Sequence, residues 1–460
     1  MSSRTVNAAE VIDSSPVGAF QIGIFVICAL VAAMDGLDTQ AIGYTAPLIA
    51  LAIHAKMAVF GTIFSAGLVG ATVGALALGP LADRFGRKWL LCAACLLFSA
   101  FTLATIWVHS LNELLVLRFL AGLGLGGAAP SFLAMGAEYA PRRLRSITVA
   151  ALYSAFPLGA AIGGFVGAYT IPHFGWRSMF VIGGVGPLLI AALIAVWLPE
   201  SLRFLVAKGV RKDTIKRILR KIAPRTDFTD AEIVGGELVI PQAKSRLASV
   251  FQDGRAPTTL ILWVPFFTGF MVILTVTTWT PSLLKAASVP ISMGVLILAA
   301  NNLGGVVGAV VGGHLLKKYG PHLVLAPAMI VGGISLAVFG QVTHSIPALM
   351  ITSIVNGLLV GGSISMLLSL AAAVYPTMIR STGIGWAMGV GRFGQILGPI
   401  ALGLLVARHI PISGLFIAMG IPCVIGGLAI LGLIPLLGRL DFGAASAPTI
   451  DQIATAAPEI

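Results

Sequence analysis

GPLADRFGRK, residues 79–88, sets four charged side chains between two long apolar runs. Gly79 permits close packing and Gly86 a tight turn, while Asp83, Arg84, Arg87 and Lys88 place charge at the edge of an apolar layer. The flanking runs, 59–82 and 89–108, have the length of about 20 residues that a membrane-spanning helix needs. Hydrocarbon leaves unpaired backbone groups without partners, so such runs are helices. The stretch therefore reads as the charged turn of a hairpin of two spanning helices.

Outward from this hairpin, ten further apolar runs can be marked: 20–45, 112–137, 147–171, 175–198, 258–284, 290–315, 322–343, 346–372, 382–406 and 410–437. No roughly ten-residue alternating segments of a β-barrel are visible. Composition agrees. Of 460 residues, 57% are hydrophobic and 10% charged, against about 25% charged in soluble domains. Mean hydropathy is +0.99. The expected fold class is an all-α membrane protein of twelve transmembrane helices, which excludes most soluble-enzyme readings. The 55 glycines follow no Gly-X-Y period and suit close helix packing in a bilayer. The first run follows a polar segment carrying Arg4 and reads as a span, not as a cleaved signal peptide.

Lys and Arg orient the bundle. With the N-terminus inside, the inner segments hold 23 basic residues and the outer loops four: Lys56, Arg177, Lys285 and Arg408. Twelve of the 23 lie in the long segment 199–257, which long-loop translocation discounts; the remaining ratio is 11 to 4. The net charge of +12 thus reports topology, not nucleic-acid binding. Both termini are expected in the cytoplasm, with the protein in a bacterial inner membrane.

The polar segment divides the chain into a tail 1–19, a six-helix half 20–198, the loop 199–257, a second half 258–440 and a tail 441–460, read as disordered from its small, polar, proline-bearing sequence. The halves echo each other. Gly79 and Gly86 recur as Gly313 and Gly320, and Pro47 as Pro281, all at an offset of 234; these prolines read as closing the first and seventh spans. Pro141, Arg145 and Ser146 recur at 235 as Pro376, Arg380 and Ser381. This is an internal repeat, and paired six-helix halves are the architecture of alternating-access transporters, with substrate bound between them near mid-depth.

GPLADRFGRK resembles the loop signature between helices 2 and 3 of the major facilitator superfamily. That resemblance implies gating roles for Gly79, Asp83, Arg84, Gly86, Arg87 and Lys88, which link this loop to the eleventh helix in the outward-facing state. The second copy, GGHLLKKYG at 312–320, lacks the Asp. Arg118 followed by FLAGLGLGG resembles the superfamily's fourth-helix motif, whose arginine is associated with proton coupling, and PESLRFL at 199–205 resembles the motif ending the sixth helix of sugar porters. DGLDTQAIGYTAP at 35–47 and IRSTGIGWAMGVGRFGQILGP at 379–399 are similar to the first and eleventh helices of the aromatic acid:proton symporters. The resemblance covers essentially the whole chain and implies import of 4-hydroxybenzoate, protocatechuate, benzoate or a related acid.

Among the carboxylates, only Asp35 and Asp38 lie deep in a span, where an Asp costs about 2.5–3.5 kcal/mol. Their spacing puts them on one helix face, roughly 5–6 Å apart. Such a pair can hold a proton and release it when water enters, titrating as one unit. The alternative is that they pair with Arg118 or cap a broken backbone at Gly36. Asp35, Asp38, Arg118 and Glu138 are the candidates for proton coupling. Glu138 ends the fourth span beside Arg142, Arg143 and Arg145, and a surface ion pair explains it equally well.

Arg392 sits near mid-depth of the eleventh span between Gly391 and Gly394, which leave room around it. A guanidinium there calls for an anion and suits a carboxylate bidentately. Its partner is the substrate or an internal aspartate. Asp38, Tyr44, Trp279, Asn301, Asn302, Trp386, Phe393 and Gln395 are the candidates to surround an aromatic ring, with packing as the alternative for each aromatic. His322 and Arg380 are further gating candidates at the inner face.

Cys92 and Cys95 form an isolated CxxC without ligand histidines, so no zinc is expected. GLGLGG at 122–127 lacks a preceding strand and reads as helix packing, like Gly304, Gly308 and Gly312. The amphipathic run 211–221 suits an anionic lipid surface. No cofactor is implied. The partners expected are a small aromatic carboxylate, protons and the lipid bilayer, for a monomeric functional unit that binds no nucleic acid.

The leading reading is a secondary transporter importing an aromatic carboxylate by proton symport. A sugar or organic-ion porter is the runner-up, although the seventh span carries Thr275, Thr277 and Thr278 where sugar porters have glutamines. An export antiporter is a third possibility. An intramembrane enzyme or transporter-like receptor is the alternative of another class, but Asp35 and Asp38 share one turn, unlike the separated aspartates of a membrane protease.

The charge asymmetry makes a direct prediction. In intact cells, a membrane-impermeant maleimide should label a cysteine at Ser110 and spare one at Arg84; the reverse pattern would invert the topology.

Overall fold

A computed structural model describes residues 4–209, 212–224, 226, 228, 231–234, 247–252, 254–376 and 379–437. The expected disordered tail 441–460 lies outside the described residues. Twelve helices among them are long and apolar enough to cross a membrane. In order, the spans are Ala19–Ala52, Met57–Ala82, Arg87–Trp107, Leu111–Tyr139, Arg142–Phe174, Arg177–Trp197, Ala256–Ala286, Ile291–Tyr319, Pro321–Gln341, Ile346–Val374, Arg380–Ala407 and Ile412–Gly432.

The turn in GPLADRFGRK is Gly86, at φ 99° between the helices of the second and third spans. Gly320 repeats it at φ 79° between the eighth and ninth. Side chains are strained at such angles, so glycine recurs at both places. Pro47 and Pro281 correct the reading of helix ends: both lie inside helices that run on to Ala52 and Ala286. A bundle re-satisfies the backbone groups a proline frees, so proline need not stop a spanning helix. The backbone is likewise continuous through Gly36.

Small residues bring the helices of each half close. A Cβ added at Gly126 would strike the backbone of Ala71, and one at Gly308 that of Leu358. Gly391 and Gly394 serve this purpose too, facing Phe270 and Phe267 of the seventh span rather than leaving room beside Arg392.

The halves meet chiefly toward the end opposite GPLADRFGRK, hereafter the far end. Gly61 of the second span abuts Pro399 of the eleventh, and Gly403 abuts Ala58. Five helical turns along the same faces, Gly79 and Gly385 have nothing within 4 Å of an added Cβ. The second and eleventh spans therefore touch at the far end and diverge toward the basic end.

At the basic end, residues around the first half form a small folded unit. Strand Arg4–Asn7 pairs in parallel with Ala231–Val234, a minor addition to the all-α class. Helix Ala8–Ser14 buries Ala8 and Ile12 in the same core as Ile215, Ile218, Leu219 and Ile222 of helix Lys212–Ile222. The amphipathic run thus turns its apolar face into protein and not into lipid, because the N-terminal helix supplies the matching apolar surface. Each of these isoleucine and leucine side chains contributes about 1.5–3 kcal/mol.

The close packing generates a contrast. Gly308→Val should destabilise the protein by about 1–3 kcal/mol, lowering its melting temperature in detergent, whereas Gly313→Val, with nothing within 4 Å of its Cβ, should shift it little. Equal shifts would remove the packing argument.

Candidate functional site

Asp38 is buried and pairs with Arg118 at 3.2 Å. The i+3 register turns both aspartates of the first span toward the third and fourth. Thr102 Oγ1 donates to Asp38 at 3.1 Å, and Arg118 donates to Thr102 and Thr105. The Phe180 ring lies 5.2 Å from the guanidinium. The pair with Arg118, one of the readings open for Asp38, is thus formed. Removing one member of a buried pair leaves an uncompensated charge, which costs about 3–5 kcal/mol.

Asp35 has no such cation in contact among the described residues. Thr39 Oγ1 donates to it at 3.2 Å, and it lines a narrow cavity with Met34, Cys95, Phe98, Leu125 and Pro187. The cavity lies inside the first half, so Asp35 can change its charge without direct contact with the second. Arg392 is half-buried and forms no ion pair among the described residues. It lies on the face of the eleventh span that meets the second span at Ile396 and Pro399, through Ser65 and Gly61. Two turns deeper, where those helices separate, this face opens toward the space between the halves.

The ring candidates divide. Tyr44 is fully buried, with its hydroxyl 2.7 Å from Gln40 Oε1 and 2.9 Å from the Ala160 carbonyl. Asn302 bonds Gln40 across the halves, and Asn301 donates to the Ser353 carbonyl within its own half. Gln395 is half-buried. Trp279 is a correction: it is fully buried, donates to the Pro399 carbonyl at 3.2 Å and packs edge-on against Phe64. Trp386 and Phe393 are a second. They share an exposed stripe with Leu397 and Leu404, away from the face that meets the first half, and their rings suit lipid.

At the basic end, Glu138 is buried and pairs with Arg87 at 2.5 Å, correcting its expected partners. Arg142 instead binds Asp13 at 3.3 Å, and Arg145 donates to the Ala137 carbonyl. Ser201 Oγ donates to Glu138 at 2.5 Å. Glu200 Oε1 accepts from the backbone N–H groups of Arg87 and Lys88 at 2.8 and 3.1 Å, and Tyr139 donates to the Glu200 carbonyl. The loop between spans 2 and 3 is thus tied to the ends of spans 4 and 6 in its own half. Arg84, His322 and Arg380 are exposed; the side chain of Asp83 lies outside the described residues.

Sequence reasoning missed Gln40, Thr102, Thr105 and Glu200 as site members. Gln40 and Glu200 stand inside stretches already singled out, and a buried amide four residues before a tyrosine was a usable signal. The two threonines had none, since hydroxyls within spans commonly bond their own helix.

The Major Facilitator Superfamily model matches residues 28–339 and 291–446. The 4-hydroxybenzoate transporter PcaK of Pseudomonas putida is 38% identical over 395 residues, 86% of this chain and 88% of the relative. The gallate transporter of Pseudomonas putida is 35% identical, covering 93% of this chain and 94% of its own. The benzoate transport protein of Acinetobacter baylyi is 31% identical, with 92% of each chain covered. The inward open xylose transporter XylE from E. coli aligns with a TM-score of 0.72 at 18% identity, over 90% of this chain and 96% of its own, which shows the fold alone. These relatives and this fold are those of transporters, not enzymes. The chain belongs to the major facilitator superfamily, with the aromatic acid transporters, and is a multi-pass secondary transporter.

Proposed function

We propose that the protein imports an aromatic carboxylate of the hydroxybenzoate and benzoate class by proton symport through alternating access. The observation that carries this reading is Arg392: a cation near mid-depth, facing the space between the halves, with no ion pair of its own among the described residues. A guanidinium held within the bilayer is costly without an anion, and a planar carboxylate matches its fork. The names of the similar transporters, for 4-hydroxybenzoate, gallate and benzoate, agree with that anion.

Protons enter at Asp35 and Asp38. Protonating Asp38 would release Arg118 from its pair, and protonating Asp35 would remove the second negative charge of the first span before the halves move. Substrate and proton then favour the same state, which is the requirement for symport. The positive-inside asymmetry supports a cytoplasmic basic end and cytoplasmic termini, and the bacterial relatives agree with an inner membrane. On that orientation the separation of Gly79 from Gly385 corresponds to an inward-facing transporter. The loop 199–257 joins the two halves, and Arg87, Glu138 and Glu200 hold the gating loop while the gate stands open. Each chain carries both halves, so the monomer is the functional unit.

Two measurements in proteoliposomes test the reading. Asp35→Asn and Asp38→Asn should each abolish uptake driven by an imposed pH gradient while the protein still inserts; normal concentrative uptake in both would sink the proton role. Arg392→Lys keeps the charge but loses the fork, and should raise the apparent KM for the aromatic acid by roughly tenfold. An unchanged KM would show that the substrate anchor lies elsewhere.

A further inference from the structure

The repeat that relates the halves also shows where they differ. Ser110 caps the fourth span and Ser345 the tenth, each accepting from a backbone N–H three residues on. Eight residues after these caps, at the same offset of 235, stand Arg118 and Ser353. The offset of 234 that relates Gly86 to Gly320 sets Val272 against Asp38, Leu336 against Thr102 and Phe339 against Thr105. The second half therefore holds neither member of the buried Asp38–Arg118 pair, nor the hydroxyls around it.

Serine is much shorter than arginine, and a small cavity lies at this place in the second half. Leu336, Phe339 and Ser353 line it together with Thr280, Asn301 and Asn356. Thr280 Oγ1 and Asn356 Oδ1 have no hydrogen-bond partner among the described residues, although both residues are only 2% exposed. Thr275, Thr277 and Thr278 of the same span each donate to a carbonyl of their own helix, so Thr280 stands apart. Directly after Asn356, Gly357–Gly361 form a π-helical turn, a rare geometry that gathers at functional sites. Two unpartnered oxygens on one cavity within the bilayer call for a guest that serves both.

The cavity is the size of about one water molecule. A cation of that size would satisfy both oxygens. It would, however, stand in the bilayer without the carboxylate that balances Arg118 in the first half, because Val272 takes the position of Asp38. A neutral guest escapes that cost. We propose that the second half binds one buried water molecule where the first half carries the Arg118 guanidinium. The water donates to Asn356 Oδ1 and accepts from the Thr280 hydroxyl, joining the seventh span to the tenth. The halves then brace matching spans by different means. Spans 1 and 4 are held by a charge pair that protonation can break, and spans 7 and 10 by a neutral bridge that pH leaves intact.

Thr280→Val and Asn356→Leu each remove one end of the bridge at similar volume. Each single variant leaves the other end unpartnered and should lower the melting temperature in detergent by several degrees. The double variant has no polar end left to serve, and should melt closer to the wild type than the two shifts summed. Additive shifts, or single variants that melt with the wild type, overturn the bridge. So does a dry cavity in a high-resolution density map of the wild type, where one peak is expected within hydrogen-bonding distance of both oxygens. Melting in sodium, potassium and choline chloride separates water from a cation. Equal values in the three salts are expected. A rise with sodium or potassium that the double variant loses would assign the cavity to a cation and overturn the water.

Discussion

Hydrocarbon supplies neither hydrogen-bond partners nor counter-ions, so every polar group carried into the bilayer has to be answered from within the protein. The backbone answers with twelve helices. Asp38 answers with Arg118 and the hydroxyls of Thr102 and Thr105, and Gln40 answers with Asn302. The same constraint underlies the reading proposed for Arg392, a half-buried cation without an ion pair among the described residues.

Packing decides which parts move together. Within a half, glycines such as Gly126 and Gly308 let backbone touch backbone, and such contacts do not slide without collision. Between the halves the fit is close at Gly61 and Gly403 and absent at Gly79 and Gly385. The halves are therefore joined at the far end and parted at the basic end, the arrangement on which the proposed alternating access rests. The Arg87–Glu138 pair and the Glu200 bonds to the loop backbone lie inside the first half, so parting the halves leaves them intact.

Much of this was legible in the chain. Twelve apolar runs, the six-plus-six division and the repeat of Gly86 in Gly320 follow from length, hydropathy and spacing, which act locally along a helix. The deep charges Asp35, Asp38, Arg118 and Arg392 were legible because so few charges fall inside spans. The choice between their alternatives was not, because an aspartate's partner depends on which helix lies across from it. Arg118 is eighty residues from Asp38 and meets it only through the packing of the first and fourth spans. Trp386 and Phe393 failed as ring contacts for a related reason: one residue is about 100° of helix, and only the packed bundle decides which direction is lipid. Helix Lys212–Ile222 failed as a lipid-binding surface because the apolar partner it needed came from residues 8–14.

Sequence alone determined that the chain crosses the bilayer twelve times, that its halves are repeats, and which few side chains carry charge into the apolar layer. These are properties of composition and period. Tertiary structure alone decided that Asp38 meets Arg118 while Arg392 has no ion pair among the described residues, that Glu138 meets Arg87, and that Gln40 and Asn302 close on each other between the halves. Each of those outcomes depends on distances between helices remote in sequence. A low-dielectric interior makes such distances decisive, because a charge or amide there is held by the group it touches or by none.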